Sequence, residues 1–140
     1  MCIRDRYGGI PSEADVRSVF FHENSAIISY CIDNGLEVDK RSKFGWPPIV
    51  YMTRGDKGEH PNKIRTLLKY VKNINAQTRN GVSAMHTSSK AGYLSVLKIL
   101  LAAGGNINIR DEKGKTPLSY ARKFKRKKVA QYLVENGGRE

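Results

Sequence analysis

This 140-residue sequence contains few of the residues that carry out chemistry. It holds two cysteines (Cys2, Cys31), one tryptophan and three histidines (His22, His60, His86). Two cysteines are too few for a disulfide-dense scaffold, and no pair stands at zinc-ligand spacing. Cys31 lies inside an apolar helical pattern and is expected to be a reduced core residue, with no disulfide in the chain. No apolar run approaches the roughly 18 residues that a membrane-spanning helix needs. The stretch Met1 to Pro11 is charged and glycine-rich where a secretory signal would be apolar. These absences predict an intracellular protein, in the cytoplasm or alternatively the nucleus.

Catalytic patterns are also missing. No HExxH occurs, and no nucleophile is paired with a base in any recognisable spacing. Gly8-Gly9, Gly55 and Gly58 do not form a phosphate loop leading into a helix with lysine. The expectation is a protein that is not an enzyme and has no cofactor and no metal.

Acidic residues are scarce, and unevenly so. Residues 1–39 have a net charge of −4 and residues 40–140 a net of +16, giving +12 for the chain. Such a field attracts acidic proteins and polyanions and repels basic partners. Hydrophobic residues make up 39% of the chain, enough for one packed domain at this length.

What the chain does have is a repeat. At an offset of 33, Asn75 falls on Asn108, Gly81 on Gly114, Ser83 on Thr116, Met85 on Leu118 and Val96 on Val129. Leu100 falls on Leu133, Leu101 on Val134, and Gly104-Gly105 on Gly137-Gly138. Apolar positions match apolar ones and glycines match glycines, so each copy is one structural unit. Within a unit, Asp111 to Gly114 reads as a turn whose glycine takes positive φ. Thr116 caps a helix with Pro117 at its first position. Leu118 and Ala121 give that helix a narrow apolar face. Val129, Leu133 and Val134 line a second helix, stopped by Gly137. In the copy before it, Ser83 caps, Met85 and Ser88 face inward, and Gly92 makes the turn. Val96, Leu97, Leu100 and Leu101 form the second helix, closed by Gly104. Helices are therefore predicted over about 84–91, 94–103, 117–124 and 127–136.

Thr116-Pro117-Leu118 with Ala121, and Gly92 before a Val-x-x-x-Leu-Leu helix ending in glycine and Asn-Ile-Asn, resemble the ankyrin repeat. The resemblance implies an all-α solenoid of helix-turn-helix units with short β-turn fingers. It also implies a structural role for His86, hydrogen-bonding between neighbouring turns; the last unit has Ser119 in that slot. Two weaker copies lie upstream. Gly45 stands 36 residues before Gly81, so that unit carries three extra residues, placed most simply at Gly55 to Asn62 as a mobile loop. Pro47-Pro48-Ile49 stands where Thr-Pro-Leu would be. Ile27, Ile28, Cys31 and Ile32 repeat the second-helix pattern, with a partner helix at about 12–22. Four units are expected, at about 12–41, 42–77, 78–110 and 111–140, the first acting as a cap. Residues 1–11 fit no unit. Met1 to Tyr7 reads either as translated sequencing-adapter read-through or as a disordered terminus.

The resemblance places a partner on the concave face made by the finger tips and the first helices. The candidate contact residues are Lys43, Phe44 and Trp46 on one tip, Arg79, Asn80 and Val82 on the next, and Lys113 and Lys115 on the last. Glu112 shares that last tip. First-helix candidates are Lys90, Lys123 and Phe124, with Arg54 and Ala91 beside them. Aromatic residues and arginine favour Phe44 and Trp46 as anchors, although Trp46 could equally pack against its neighbouring unit. The basic run Arg122 to Lys128 reads as a solvated turn, a nuclear-localisation patch or a polyanion contact. The expected function is a scaffold binding an acidic protein, as a monomer or within a longer chain. The alternative is a polyanion-binding module for nucleic acid or anionic membrane.

Overall fold

The computed structural model describes residues 26–35, 37–42, 44–54 and 58–140. Seven helices occur among them: α1 (Ala26–Asp33), α2 (Pro48–Met52), α3 (Pro61–Leu68), α4 (Ala84–Ala91), α5 (Leu94–Ala102), α6 (Pro117–Lys123) and α7 (Lys127–Glu135). No strand occurs among the described residues. α2 packs on α3, α4 on α5 and α6 on α7. The first helices α2, α4 and α6 also pack in one row, and the second helices α1, α3, α5 and α7 in another. The result is the two-layered all-α solenoid that the repeat predicts. The helix expected at about 12–22, the tip residue Lys43 and the segment 55–57 lie outside the described residues.

Local chemistry sets the element ends. In α6 the Thr116 hydroxyl accepts from the Ser119 amide and Pro117 takes the first turn. α4 stops at Gly92, which is left-handed at φ 78°. The last unit has no glycine there, and Lys125 adopts φ 59° in its place. The core lies between the two rows. Ile28, Ile64, Leu67, Leu97, Leu100 and Leu133 are fully buried, together with Met85 and Ile49 of the first row.

Three expectations are corrected. Cys31 is buried but disulfide-bonded, and is not a reduced thiol. Helical periodicity reports that a side chain points inward; it carries no information on which distant segment reaches it. Val134 is 49% exposed and not inward, because no further unit among the described residues packs over the position that Leu101 fills in the third unit. The inserted segment is shorter than Gly55 to Asn62. Pro61 and Asn62 already belong to α3, since proline suits the first turn of a helix.

Candidate protein-interaction surface

The second, third and fourth units each open with a hydrogen-bonded finger. The Ser42, Thr78 and Asp111 amides donate to the carbonyls of Trp46, Val82 and Lys115 at 2.9, 2.8 and 3.0 Å. A polar side chain braces each finger from inside. The Asp111 carboxylate accepts from the Lys113 and Lys115 amides, and the Ser42 hydroxyl accepts from the Phe44 and Trp46 amides.

Neighbouring fingers are tied by residues that sequence reading did not single out. Arg41 donates to the Gly45 carbonyl of its own finger and to the Gln77 carbonyl of the next unit, at 2.9 and 2.6 Å. Gln77 repeats this with the Gly81 and Arg110 carbonyls at 2.7 and 2.8 Å. Arg110 donates to the Gly114 carbonyl. A polar residue four positions before each turn glycine was the available signal. A second ladder runs through Asp39, Asn75 and Asn108. Asn75 accepts from the Asn106 amide and donates to the Gly104 carbonyl, and Asn108 does the same with Arg139 and Gly137. Arg126, in the basic run, donates to the Lys90 carbonyl at 2.9 Å and lies over Gly92.

His86 fixes the junction of the third and fourth units. It is buried on α4, and its Nδ1 accepts from the Ser83 amide at 3.0 Å. An amide only donates, so the ring proton sits on Nε2, which donates to the Lys115 carbonyl at 2.8 Å. Burial holds the imidazole below its ordinary value of 6.5, against the opposing pull of the Lys115 carbonyl and Asp111. The ring of Tyr120 lies 4.8 Å away, and its hydroxyl donates to Asp111 at 2.7 Å. Burial would raise the Asp111 carboxyl, but the Tyr120 hydroxyl and the Lys115 and Lys113 amides together hold it below its usual range. The same burial and bond push the Tyr120 phenol upward.

These contacts shape a groove of about 760 Å³ along the first-helix side of the third and fourth units. Seven predicted contact residues line it: Asn80, Val82, Lys90, Lys113, Lys115, Lys123 and Phe124. The Lys90 and Lys123 ammonium groups lie 5.0 and 5.7 Å from the Phe124 ring centroid. Of the three groove carboxylates, Asp111 is engaged by Tyr120 and Glu140 by Arg122 at 2.9 Å, and Glu112 is the third. Of the other predicted residues, Glu112 lines it too, Lys43 lies outside the described residues, and Phe44, Trp46, Arg54, Arg79 and Ala91 stand apart from it. Phe44 is 66% exposed at its tip, while Trp46 is half-buried against the core beneath the Arg54 guanidinium. Arg54 follows α2 and does not sit on a first helix. Arg79 lies along Gly45 of the preceding finger. Every residue from Arg122 to Lys128 is exposed.

A family model described as ankyrin repeats (3 copies) matches residues 18–111 and 56–140. The chain is 38% identical over 58 residues to the protein phosphatase 1 regulatory subunit 12A of Mus musculus, covering 41% of this chain and 6% of that protein. It is 27% identical over 114 residues to the inversin of Gallus gallus, covering 81% of this chain and 10% of inversin. Against the B-cell lymphoma 3 protein homolog of Mus musculus it is 28% identical over 92 residues, covering 65% of this chain and 20% of that protein. The chain thus spans a small fraction of each of these relatives. Ankyrin repeats generally mediate protein–protein interaction and are generally non-catalytic. No helix among the described residues is long and apolar enough to cross a membrane. With stacked helix pairs, hydrogen-bonded fingers, an inter-finger histidine and a family match over most of its length, the chain belongs to the ankyrin-repeat family.

Proposed function

We propose that this chain is a non-catalytic scaffold that binds an acidic protein through the concave groove of its third and fourth units. The supporting observation is the groove's charge. Lys90, Lys113, Lys115 and Lys123 line it, and of its three carboxylates Asp111 and Glu140 are occupied by Tyr120 and Arg122, so that four lysines face the single carboxylate of Glu112. Val82 and Phe124 supply apolar area beside those cations. Apolar burial adds affinity, and the cations select acidic partners and speed encounter.

The test is charge reversal. Partners captured from the source organism by the wild-type chain are compared with those captured by Arg79→Glu/Lys113→Glu/Lys115→Glu. Loss of an acidic partner, with helix content unchanged by circular dichroism, supports the reading. Retention of that partner by the triple variant refutes it.

The alternative is a polyanion binder, favoured by cations that are not confined to the groove: Arg65, Lys69 and Lys98 are exposed on the second helices. Salt separates the two. Nucleic-acid binding rests on counterion release, so its affinity falls steeply and log-linearly with salt. A partner held partly by apolar contacts keeps much of its affinity. The expected result is weak, salt-sensitive DNA binding and tighter, salt-tolerant protein binding. Tight, sequence-selective nucleic-acid binding at physiological salt would promote the alternative.

A further inference from the structure

A surface helix ordinarily turns a polar side toward solvent. α5 does not. Its sequence, LSVLKILLA, carries one charge, Lys98, and one hydroxyl, Ser95. Val96, Leu97 and Leu100 are buried in the core. Ile99 is only half-buried, and Ala102 with the following Ala103 is exposed. The stack does not require this. At the offset of 33, the position of Ala102 is Lys69 in the second unit and Glu135 in the fourth, both exposed. Of the second, third and fourth units, the third alone has an apolar residue at that position.

Its geometry is that of a shallow, open depression. Leu68 of α3 and Ile99, Ala102 and Ala103 of the third unit floor a groove of about 670 Å³ on the second-helix side of the stack. The rim carries Arg65, Lys69 and Lys98, and no acidic residue lines the groove. Two rim cations are held by neutral groups. Arg65 donates to the Asn62 side chain at 2.9 Å, and Lys98 lies 5.3 Å from the Tyr132 ring centroid. Their charge is positioned without being neutralised by those partners.

We infer that this groove is a second docking surface, separate from the concave face, and that it takes an amphipathic helix of a partner protein whose apolar stripe is flanked by Asp and Glu. An apolar floor gains free energy when dehydrated, and a helix laid in a groove offers side chains at i, i+4 and i+7 to fill it. The cationic rim discriminates: it attracts acidic flanks and repels the basic amphipathic helices that would fit by shape alone. A lipid surface fits less well, because the exposed apolar residues here are alanines, and no fully exposed leucine or aromatic side chain is present among the lining residues to lead insertion.

The experiment uses the full chain and a fluorescein-labelled helical peptide of about 18 residues, long enough to span two packed helices. The peptide carries leucine at i, i+4 and i+7 and glutamate on both flanks. Two control peptides carry lysine flanks or a scrambled leucine order. Fluorescence anisotropy is expected to show saturable binding of the glutamate peptide, with either control weaker by about tenfold or more. Lys98→Glu, and separately Ala102→Glu, should weaken the glutamate peptide by about as much, whereas Lys113→Glu/Lys115→Glu leaves it unchanged. Circular dichroism confirms the fold of each variant, and Lys98→Glu, at an exposed position, keeps the test valid if Ala102→Glu misfolds. The inference is overturned by absence of saturable binding, by equal binding of the scrambled peptide, or by loss of binding in the Lys113/Lys115 variant instead. It is also overturned if Ala102→Glu abolishes self-association in sedimentation, or abolishes sedimentation with phosphatidylserine–phosphatidylcholine vesicles that the peptide does not compete. Either result would assign the groove to a second copy or to a membrane.

Discussion

The junction between the second and third units and the junction between the third and fourth are built differently, although both stack one helix pair on the next. The later junction follows the repeat. His86 reaches the Lys115 carbonyl, Arg126 reaches the Lys90 carbonyl, and Gly81 lets the backbone of Asp111 and Glu112 approach where a Cβ would sit 2.7 Å from the Glu112 nitrogen. The earlier junction has lost these parts. Val50 stands where the histidine would be, and α2 spans only five residues. Other contacts take over. The Thr53 and Thr87 hydroxyls meet at 2.6 Å inside the core, and Arg79 lies over Gly45. Glu59, from the inserted segment, accepts the Val96 amide at 2.9 Å near the start of α5. That last bond satisfies one of the open amides at a helix start with a carboxylate, which the helix dipole also favours. The architecture is thus fixed by burial and by backbone groups needing partners, while the residues that satisfy them are exchangeable.

The sharpest way to break both junctions at once is at Leu100, which is fully buried in the unit they share. Leu100→Ala is expected to cost about 2–5 kcal/mol, and urea denaturation should report the loss of the whole stack, because each unit leans only on its neighbours.

Glycine substitutions come next and isolate the later junction. Gly81 and Gly114 share a positive φ, of 78° and 76°, but a Cβ on Gly114 meets nothing. Gly114→Ala should therefore lose only the left-handed backbone preference, about 1–2 kcal/mol. Gly81→Ala should lose about 1–3 kcal/mol more by displacing the neighbouring finger. Equal losses in thermal denaturation would show that the close approach contributes nothing.

His86 gives that junction a pH dependence. Its imidazole is held below 6.5 in the fold, so its contribution to stability is complete above pH 6.5 and is lost as pH falls through the lower folded value. Asp111, held below its ordinary 3.8, adds a further loss at more acid pH by the same sign. His86→Gln should cost about 1–3 kcal/mol near pH 7.5 and flatten the decline toward pH 5. An unchanged slope in the variant would assign the dependence elsewhere. Thr53→Val strikes the earlier junction alone and should cost about 0.5–1.5 kcal/mol with no effect on that slope, since the Thr87 hydroxyl retains the Ala84 carbonyl at 3.1 Å.

The smallest effect is a gain. Lys125 occupies the left-handed conformation that Gly92 takes in the previous unit, at φ 59°. Lys125→Gly should raise stability by about 0.5–1 kcal/mol, the steric relief exceeding the added chain entropy. A lower melting temperature would mean that the lysine side chain contributes more than its backbone strain costs.

Most of the fold was legible in the sequence because its determinants are local and periodic. A helix pair needs a cap, a turn between its helices and an apolar face at 3.6 spacing; the third unit writes all three within 33 residues with Gly92 at the turn, and the fourth does so with Lys125 there instead. The helix limits at α4 and α6 followed from Ser83, Gly92 and Thr116-Pro117 for that reason. The family's histidine slot likewise led to His86, and the family's concave face led to seven residues that share one groove. What the sequence could not decide was anything set by approach between units. The fate of Cys31, the inward lean of Trp46, the exposure of Val134, the reach of Glu59 to α5 and the apolar groove between α3 and α5 all depend on which surfaces meet. Hydrophobic periodicity specifies the side of a helix that is buried. Only the packing of one unit on the next specifies the backbone groups left needing partners, the side chains that reach them, and the apolar surface that remains uncovered.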